Sequence, residues 1–322
     1  MLNSSNREAL DEENKLKPQM PFFGLTPGDH VDIIAPGFGC DPSVLEKVAA
    51  FLTAWGLIAH IPHDIFGEDF LFSNKTQNRL QQLLDALTNE TSKAVWCLKG
   101  GYGSTRLLPQ LLTHPPIVQR KQFIGFSDIT ALHIFLQQQW GWRTIHGPVA
   151  RQVALETVSP ASIHFLKAML FQEETHFLLE NIKPMNQAAA EVKSIKAPLI
   201  GGNLCLLAAS LGTFWQVNPT GKILFIEDVK EPAYQIDRML EHLSQAGVMQ
   251  QAEAILLGDF YEDEESHVKS LVLRTLRAFA MRTEKPVLKM KDLGHGFENR
   301  ALPLGIDATL TMGKGATLGF SI

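Results

Sequence analysis

Apolar and polar positions change period repeatedly along the chain from about residue 29, and this change predicts strands that alternate with helices. In the first half, short apolar runs of strand length occur at 31–35, 57–62, 94–98, 122–125 and 143–145. A helical pattern separates the second run from the third, because Leu80, Leu83, Leu84 and Leu87 recur at i, i+3, i+4 and i+7. Strands joined by helices in this way predict a doubly wound parallel sheet.

The periodicity fades between residues 171 and 196, where the chain is polar and contains one proline. We interpret this segment as a linker between an N-terminal α/β domain (21–170) and a second domain (197–322), with a polar arm before them (1–20). Further strands are predicted in the second domain at 197–200, 222–226, 254–257 and 286–289, followed by a terminal hairpin within 306–322. The predicted fold is therefore α/β, with a doubly wound N-terminal domain and a smaller C-terminal α/β domain.

Composition narrows the classes of partner. The chain has 322 residues and a formal net charge of −5, without a long run of like charges, which argues against nucleic acid. No stretch has the length of a membrane span, the first 20 residues lack the apolar core of a signal peptide, and three cysteines do not make a disulfide framework. We expect a cytoplasmic protein without a membrane partner, and the Cys/His spacing predicts neither a metal nor another cofactor.

Glycine-rich turns follow three of the predicted strands, at 36–39 (PGFG), 99–104 (KGGYGS) and 125–128 (GFSD). Ligands of open parallel sheets bind beyond the carboxyl ends of the strands, so these turns are candidates for a site. The first turn resembles a dinucleotide fingerprint, but Asp41 and Pro42 interrupt the glycine spacing and disfavour that function.

Ser127 lies on the third of these turns, where two interpretations stay open. A serine between a strand and a helix can expose its hydroxyl as a nucleophile, or it can cap the helix that follows. A nucleophile needs a base and an acidic partner. His146 and His295 lie at turns and Glu227 ends a strand, whereas His60 and His133, inside predicted elements, are more typical of structural histidines.

Six segments together resemble one enzyme family. They are 98–104 (LKGGYGS), 125–132 (GFSDITAL), 146–148 (HGP), 201–204 (GGNL), 226–229 (IEDV) and 294–296 (GHG). In order and approximate spacing they are similar to those of the LD-carboxypeptidases, serine peptidases also called muramoyltetrapeptide carboxypeptidases, from about residue 21 onward. The resemblance implies a catalytic triad of Ser127, Glu227 and His295, with the nucleophile on the first domain, its two partners on the second and the active site in the cleft between them.

The resemblance also implies a reaction and a partner. The family releases the terminal D-Ala of cytoplasmic murein tetrapeptides in cell-wall recycling, and its members are commonly homodimers. Candidate oxyanion donors are the backbone N–H of Asp128 and one from Gly100 or Gly101. The candidates for substrate binding border the same segments and are Lys99, Tyr102, His146 and Asn203.

Departures from the family pattern leave two alternative functions open. The family usually has arginine at Lys99, tyrosine at Phe126 and serine at Cys205, and lysine lacks the two-pronged grip of arginine on a carboxylate. One alternative is a microcin-immunity peptidase that cleaves an aminoacyl-nucleotide toxin and needs an aromatic side chain to stack on the base. The tryptophans considered for that role are Trp96, Trp140, Trp142 and Trp215. The other alternative is a murein-peptide-binding protein without catalysis.

Overall fold

The computed structural model describes residues 22–119, 121–191, 193–261 and 266–322. The polar arm predicted at 1–20 lies outside the described residues. The strands are β1 (His30–Ile34), β2 (Ile58–His60), β3 (Ser92–Cys97), β4 (Gln122–Gly125), β5 (Thr144–His146), β6 (His176–Pro184), β7 (Ser194–Asn203), β8 (Ile223–Val229), β9 (Ala254–Tyr261), β10 (Val287–Lys289), β11 (Leu302–Leu304), β12 (Asp307–Thr311) and β13 (Ala316–Ser321).

The helices follow in the same order along the chain. They are α1 (Val44–Ala54), α2 (Thr76–Thr88), α3 (Leu108–Thr113), α4 (Thr130–Trp140), α5 (Ala150–Ala154), α6 (Pro160–Leu170), α7 (Gln187–Ala190), α8 (Leu204–Ala209), α9 (Ala233–Gln245), α10 (Val248–Gln251) and α11 (Ser266–Arg282). Among the described residues, none of these helices combines the length and the apolar character that crossing a membrane requires.

The first five strands form the predicted parallel sheet, in the order β5-β4-β3-β1-β2. β4 is buried along its whole length because helices cover both faces of the sheet. α2 buries Leu80, Leu83 and Leu87, as the spacing of its leucines predicts. The doubly wound fold of the first half is therefore confirmed.

A sixth strand joins this sheet from the other end of the chain. β11 pairs antiparallel with β5, with Leu302 opposite His146 and Pro303 opposite Ile145. The sequence pattern does not predict this strand, because it is three residues long and carries a proline. An edge strand tolerates proline, since one side of it makes no ladder hydrogen bonds.

The second half closes into a seven-stranded barrel in the order β10-β6-β13-β12-β7-β8-β9. The linker predicted at 171–196 is wrong, because this segment contains β6, α7 and the start of β7. Alternation along β6 breaks at Glu180 and Asn181, both exposed, and Asn181 has a φ of 62°. Because of this break, the alternation of apolar and polar positions does not predict β6. The division of the chain into two domains stays a prediction.

The apolar core runs through both halves. One cluster joins Ile33 and Trp96 of the first sheet to Leu199 and Phe225 of the barrel. A second cluster joins Leu132 of α4 to Leu224, Ile226 and further barrel residues. This shared packing holds the ends of β3, β4, β5 and β8 at one place in the molecule, and the candidate residues lie there.

Candidate active site

Ser127 occupies a sharp turn between β4 and α4. Its φ is 65°, in the left-handed region, and a single 3₁₀ turn over Ser127–Ile129 leads into the helix. Such a conformation costs a residue with a side chain about 1–3 kcal/mol, and it is typical of a nucleophile presented on a strand-to-helix turn. The alternative interpretation as a helix cap is wrong, because the residue at the N-cap of α4 is Ile129 and no side chain caps it.

Asp128 ties a glycine turn to the start of this helix. Its buried carboxylate accepts hydrogen bonds from the N–H of Gly103 at 3.2 Å and from the N–H and hydroxyl of Ser104 at 2.9 and 2.6 Å. Burial raises the pKa of Asp128, although its hydrogen bonds with Ser104 and Gly103 oppose the rise. The turn therefore rests directly against the residue that follows Ser127.

Gly100 lets the backbone of this turn approach Ser127. A Cβ atom at Gly100 would lie 2.9 Å from Ser127 Cβ and 3.2 Å from its Oγ. Gly101 has a φ of 103°, and a Cβ there would meet the ring of Phe38. A side chain at position 100 would displace either the turn or the serine, and one at position 101 would displace either the turn or Phe38, so glycine is required for the approach.

Arg79 holds the same glycine turn through a hydrogen bond to its backbone. This side chain is buried on α2 and donates to the carbonyl of Gly103 at 3.0 Å, to that of Asn74 at 3.0 Å and to that of Pro36. Burial lowers its pKa, which the negative charge of Asp128 partly offsets. The sequence does not predict a role for Arg79 in the site, because an arginine beside an apolar stripe is typical of the solvent-facing side of a helix.

Glu227 and His295 come from the second half of the chain and form a short hydrogen bond. Glu227 lies near the end of β8 and is fully buried, and its Oε2 is 2.7 Å from His295 Nδ1. His295 follows Gly294, whose φ is 135° and whose Cβ, if present, would lie 3.0 Å from Glu227 Oε2. Only 15% of the His295 side chain is exposed, and its ring is 4.6 Å from that of Phe126, the residue before Ser127.

The two partners shift each other's pKa in opposite directions. Burial alone would raise the pKa of Glu227, but the charge of His295 and the hydrogen bond to it, together with His146, lower it to about 2. Burial would lower the pKa of His295, but the Glu227 carboxylate outweighs burial and raises it. The arrangement therefore stabilises an imidazolium next to an ionised carboxylate.

Asp228 and Asn203 connect β8 to α8 behind this pair. Asn203 Nδ2 donates to Asp228 Oδ1 at 2.8 Å, and Asn203 Oδ1 accepts from the N–H of Leu206 at 3.3 Å. Burial and the neighbouring charge of Glu227 raise the pKa of Asp228 to about 7. Because Asn203 is buried and bonded to the protein through both polar atoms, its part in substrate binding stays a prediction.

Lys99 and Tyr102 border the glycine turn on its outer side. Lys99 Nζ donates to the carbonyl of Gly39 at 3.1 Å and lies 5.7 Å from the ring of Phe38. Tyr102 is 42% exposed and packs against Phe72. Their role in binding stays a prediction.

His146 does not border a surface. It is fully buried at the end of β5, with Nε2 3.7 Å from Glu227 Oε1, so the prediction that it binds substrate is wrong. The end of β5 lies beside the end of β4, where Gly125 pairs with His146, and this places the imidazole behind the site instead of in it. The position of His146 at the end of a strand next to β4 is the feature of the sequence that could have indicated this place behind the site.

The two histidines interpreted as structural have structural surroundings. His133 Nε2 lies 2.8 Å from the carbonyl of Gly125, and burial lowers the pKa of His133 to about 3. His60 Nδ1 lies 2.5 Å from Asp32 Oδ1, on the far side of the first sheet. The described residues contain no group of three or more His, Cys, Asp or Glu side chains arranged to hold a metal ion.

Comparisons with known proteins cover both halves of the chain. The family model for the LD-carboxypeptidase N-terminal domain matches residues 31–147, and the model for the C-terminal domain of the same family matches residues 196–310. A Rickettsia conorii protein assigned as a carboxypeptidase is 36% identical over 82% of each chain. The murein tetrapeptide carboxypeptidase of Pseudomonas aeruginosa is 31% identical over 87% of this chain and 92% of its own.

Solved structures show the same fold. The crystal structure of muramoyltetrapeptide carboxypeptidase from Oxalobacter formigenes superposes with a TM-score of 0.79 at 26% identity, covering 91% of this chain and 99% of that one. The microcin C7 self-immunity protein MccF, in complex with aspartyl sulfamoyl adenosine, superposes with a TM-score of 0.72 at 19% identity, covering 93% and 97% of the two chains. At that identity the second likeness extends to the fold alone.

Proposed function

This chain belongs to the LD-carboxypeptidase family and is a serine carboxypeptidase, and from that premise we propose that it releases the terminal D-Ala of murein tetrapeptides in cell-wall recycling. The bond to be cut joins the L-centre of the diamino acid to D-Ala. We propose that the reaction takes place in the cytoplasm.

The observation that carries the proposal is the hydrogen bond between buried Glu227 and His295, whose ring lies 4.6 Å from that of Phe126, the residue that precedes Ser127 in its left-handed turn. In the proposed mechanism, Ser127 Oγ attacks the amide carbonyl and His295 accepts the proton of the hydroxyl. His295 then gives the proton to the leaving D-Ala amine, and Glu227 holds the imidazole in one tautomer and stabilises its cation. Water, deprotonated by the same histidine, hydrolyses the acyl-enzyme.

The glycine turn supports the proposed oxyanion site. Gly100 brings backbone against Ser127, and the bonds from Asp128 to Gly103 and Ser104 hold the turn in place. We propose the N–H of Asp128 as one donor and an N–H of Gly100 or Gly101 as the second. Loss of one such donor costs about 10²- to 10³-fold in rate in other serine peptidases.

A peptide substrate is favoured over a nucleotide-bearing one. The four tryptophans considered for stacking on a base are all buried, at 0% (Trp96), 9% (Trp140), 1% (Trp142) and 5% (Trp215) exposure. A buried indole offers no face to a nucleobase. The Pseudomonas and Oxalobacter relatives, whose names specify murein peptides, are also more similar to this chain than MccF is.

The proposal is tested with L-Ala-γ-D-Glu-meso-diaminopimelyl-D-Ala, following release of D-Ala by mass spectrometry. Release from this tetrapeptide, with little cleavage of aspartyl sulfamoyl adenosine at equal concentration, is the expected result. Faster cleavage of the adenosine compound would favour the immunity function. Tight binding of tetrapeptide without turnover, measured by calorimetry, would favour a binding protein.

A further inference from the structure

The imidazole of His146 is sealed inside the protein without a hydrogen bond. The side chain is fully buried, and among the residues that the structure describes neither ring nitrogen has a partner. Rings of Phe126, Phe225 and His133 surround it, with centroids 5.6, 5.0 and 6.4 Å away. Buried polar side chains are normally hydrogen-bonded, so an imidazole in this state needs a reason.

An acceptor without a partner lies directly opposite. Glu227 Oε1 is buried and likewise has no hydrogen bond within the described part of the chain, and it is 3.7 Å from His146 Nε2. The other carboxylate oxygen, Oε2, is committed to His295 Nδ1 at 2.7 Å. A movement of about 0.7 Å would bring Nε2 and Oε1 to ordinary hydrogen-bond distance and satisfy both groups.

We propose that His146 donates a hydrogen bond from Nε2–H to Glu227 Oε1 and so acts as a positioning residue for the Glu227–His295 pair. The Glu227 carboxylate would then lie between two imidazoles, one that works in the reaction and one that only orients the acid. The kinetic consequences of this inference rest on the proposed function, whereas the hydrogen bond itself does not.

The charged and titratable groups around Glu227 leave this donor role to His146. His295 faces it from the loop after β10 and is bonded to Oε2. Asp228 follows on the same strand, and its Oδ1 and Oδ2 accept from Asn203 Nδ2 and from the N–H of Cys205. His133 faces His146 from α4, and its Nε2 is occupied by the carbonyl of Gly125. The donor that can reach Oε1 is therefore His146.

A hydrogen bond donated to Glu227 Oε1 is expected to change the pKa of His295. When His295 is neutral, the pair with Glu227 carries a net negative charge, and when His295 is protonated the pair is net neutral. A hydrogen bond to the carboxylate stabilises the negative pair more than the neutral pair. Loss of the His146 donor is therefore expected to raise the pKa of His295 and to move the acidic limb of the pH–rate profile to higher pH.

The first test uses the unaltered protein. Two-bond ¹H–¹⁵N spectra of histidine-labelled full-length chain report which ring nitrogen of each imidazole carries a proton. We expect a proton on Nε2 of His146. A proton on Nδ1 with a bare Nε2 would overturn the proposal, and this result would stand whether or not the protein releases D-Ala.

The second test compares two substitutions. His146→Leu keeps the apolar packing but removes the donor, whereas the side-chain amide of His146→Gln can still donate from the position of Nε2. For His146→Leu we expect the NMR-titrated pKa of His295 to rise by about one unit and kcat for D-Ala release to fall about tenfold, with KM within about twofold. His146→Gln is expected to recover most of both changes.

An unchanged His295 titration in His146→Leu would overturn the proposal, even with a lower kcat, since a purely structural role would lower activity without moving this pKa. If His146→Leu does not fold, the tautomer of the unaltered protein decides. Absence of D-Ala release by the unaltered protein would refute the proposed function and leave both NMR readouts valid.

Discussion

At the scale of single residues, the site depends on a carboxylate that water does not reach. Glu227 is fully buried yet has a pKa of about 2, because burial, which favours its neutral form, is outweighed by His295 and His146. The same interaction raises the pKa of His295. A general base must be neutral to accept a proton, so activity should be lost as pH falls through this raised pKa.

Glu227→Gln tests that dependence. The substitution keeps the size of the side chain and removes its charge, so kcat for D-Ala release should fall about 10³- to 10⁴-fold. The acidic limb of kcat/KM, measured between pH 5 and 9, should also move to lower pH, because the charge that raises the pKa of His295 is gone. Glu180→Gln, on an exposed position of β6, is the matched control and should change neither quantity. A wild-type rate and profile in Glu227→Gln would contradict the role of this carboxylate.

At the scale of elements, the site is assembled where strands end and glycine replaces side chains. β4 ends in the turn that holds Ser127, and the turn after β3 can touch it only because residue 100 has no Cβ. The barrel contributes Glu227 near the end of β8 and His295 from the loop after β10. Each element thus contributes one part of the candidate site, and none contributes two of the three proposed triad residues.

Gly100→Ala tests the contact between the two turns. The added methyl would lie 2.9 Å from Ser127 Cβ and would push the serine or the turn aside. A displacement of reacting groups by about 1 Å can cost about 10²-fold in rate, so we expect a fall in kcat of that size with the fold retained. Gly319→Ala, on β13, is the control, since its Cβ would lie 3.6 Å from the side chain of Leu178, which is an ordinary van der Waals distance. Equal rates for the two variants, measured as D-Ala release, would refute the contact.

Sequence patterns predicted the elements that bury one regular face and missed those that the tertiary fold creates. The parallel sheet, the stripe on α2 and the hairpin of β12 and β13 follow from local periodicity. β6 was missed because of its irregularity at Asn181, and β11 because three residues with a proline carry no periodic signal.

The same limit applies to the candidate site. Ser127, Glu227 and His295 could be named from motif resemblance, but burial could not be read from the motifs. His146 was therefore assigned to the substrate although it is fully buried, and Arg79 was not noticed. Both are buried polar residues whose neighbours come from distant parts of the chain, and only the packed structure brings those neighbours together.

At the scale of the whole molecule, the two halves share one structure. β11 belongs by sequence to the second half but completes the sheet of the first, and both apolar clusters draw residues from each half. The arrangement of the proposed triad therefore depends on the packing of the two halves against each other. The expected homodimer stays a prediction, and a monomeric mass by light scattering at micromolar concentration would contradict it.

Calorimetry tests the dependence between the halves. We expect the full chain to unfold in a single transition, and a fragment of residues 21–170 to lack a cooperative transition of its own, because it loses β11 and leaves the shared core exposed. Two separate transitions in the full chain, together with a sharp transition in the fragment, would show that the first half folds independently.

The most direct test of Ser127 as the nucleophile compares the unaltered protein with Ser127→Ala at identical concentration, following D-Ala release from L-Ala-γ-D-Glu-meso-diaminopimelyl-D-Ala by mass spectrometry. We expect release by the unaltered protein and nearly none by Ser127→Ala, with the same far-ultraviolet circular dichroism for both. Undiminished release by Ser127→Ala would contradict the assignment of the nucleophile, and no release by the folded, unaltered protein would contradict the reaction itself.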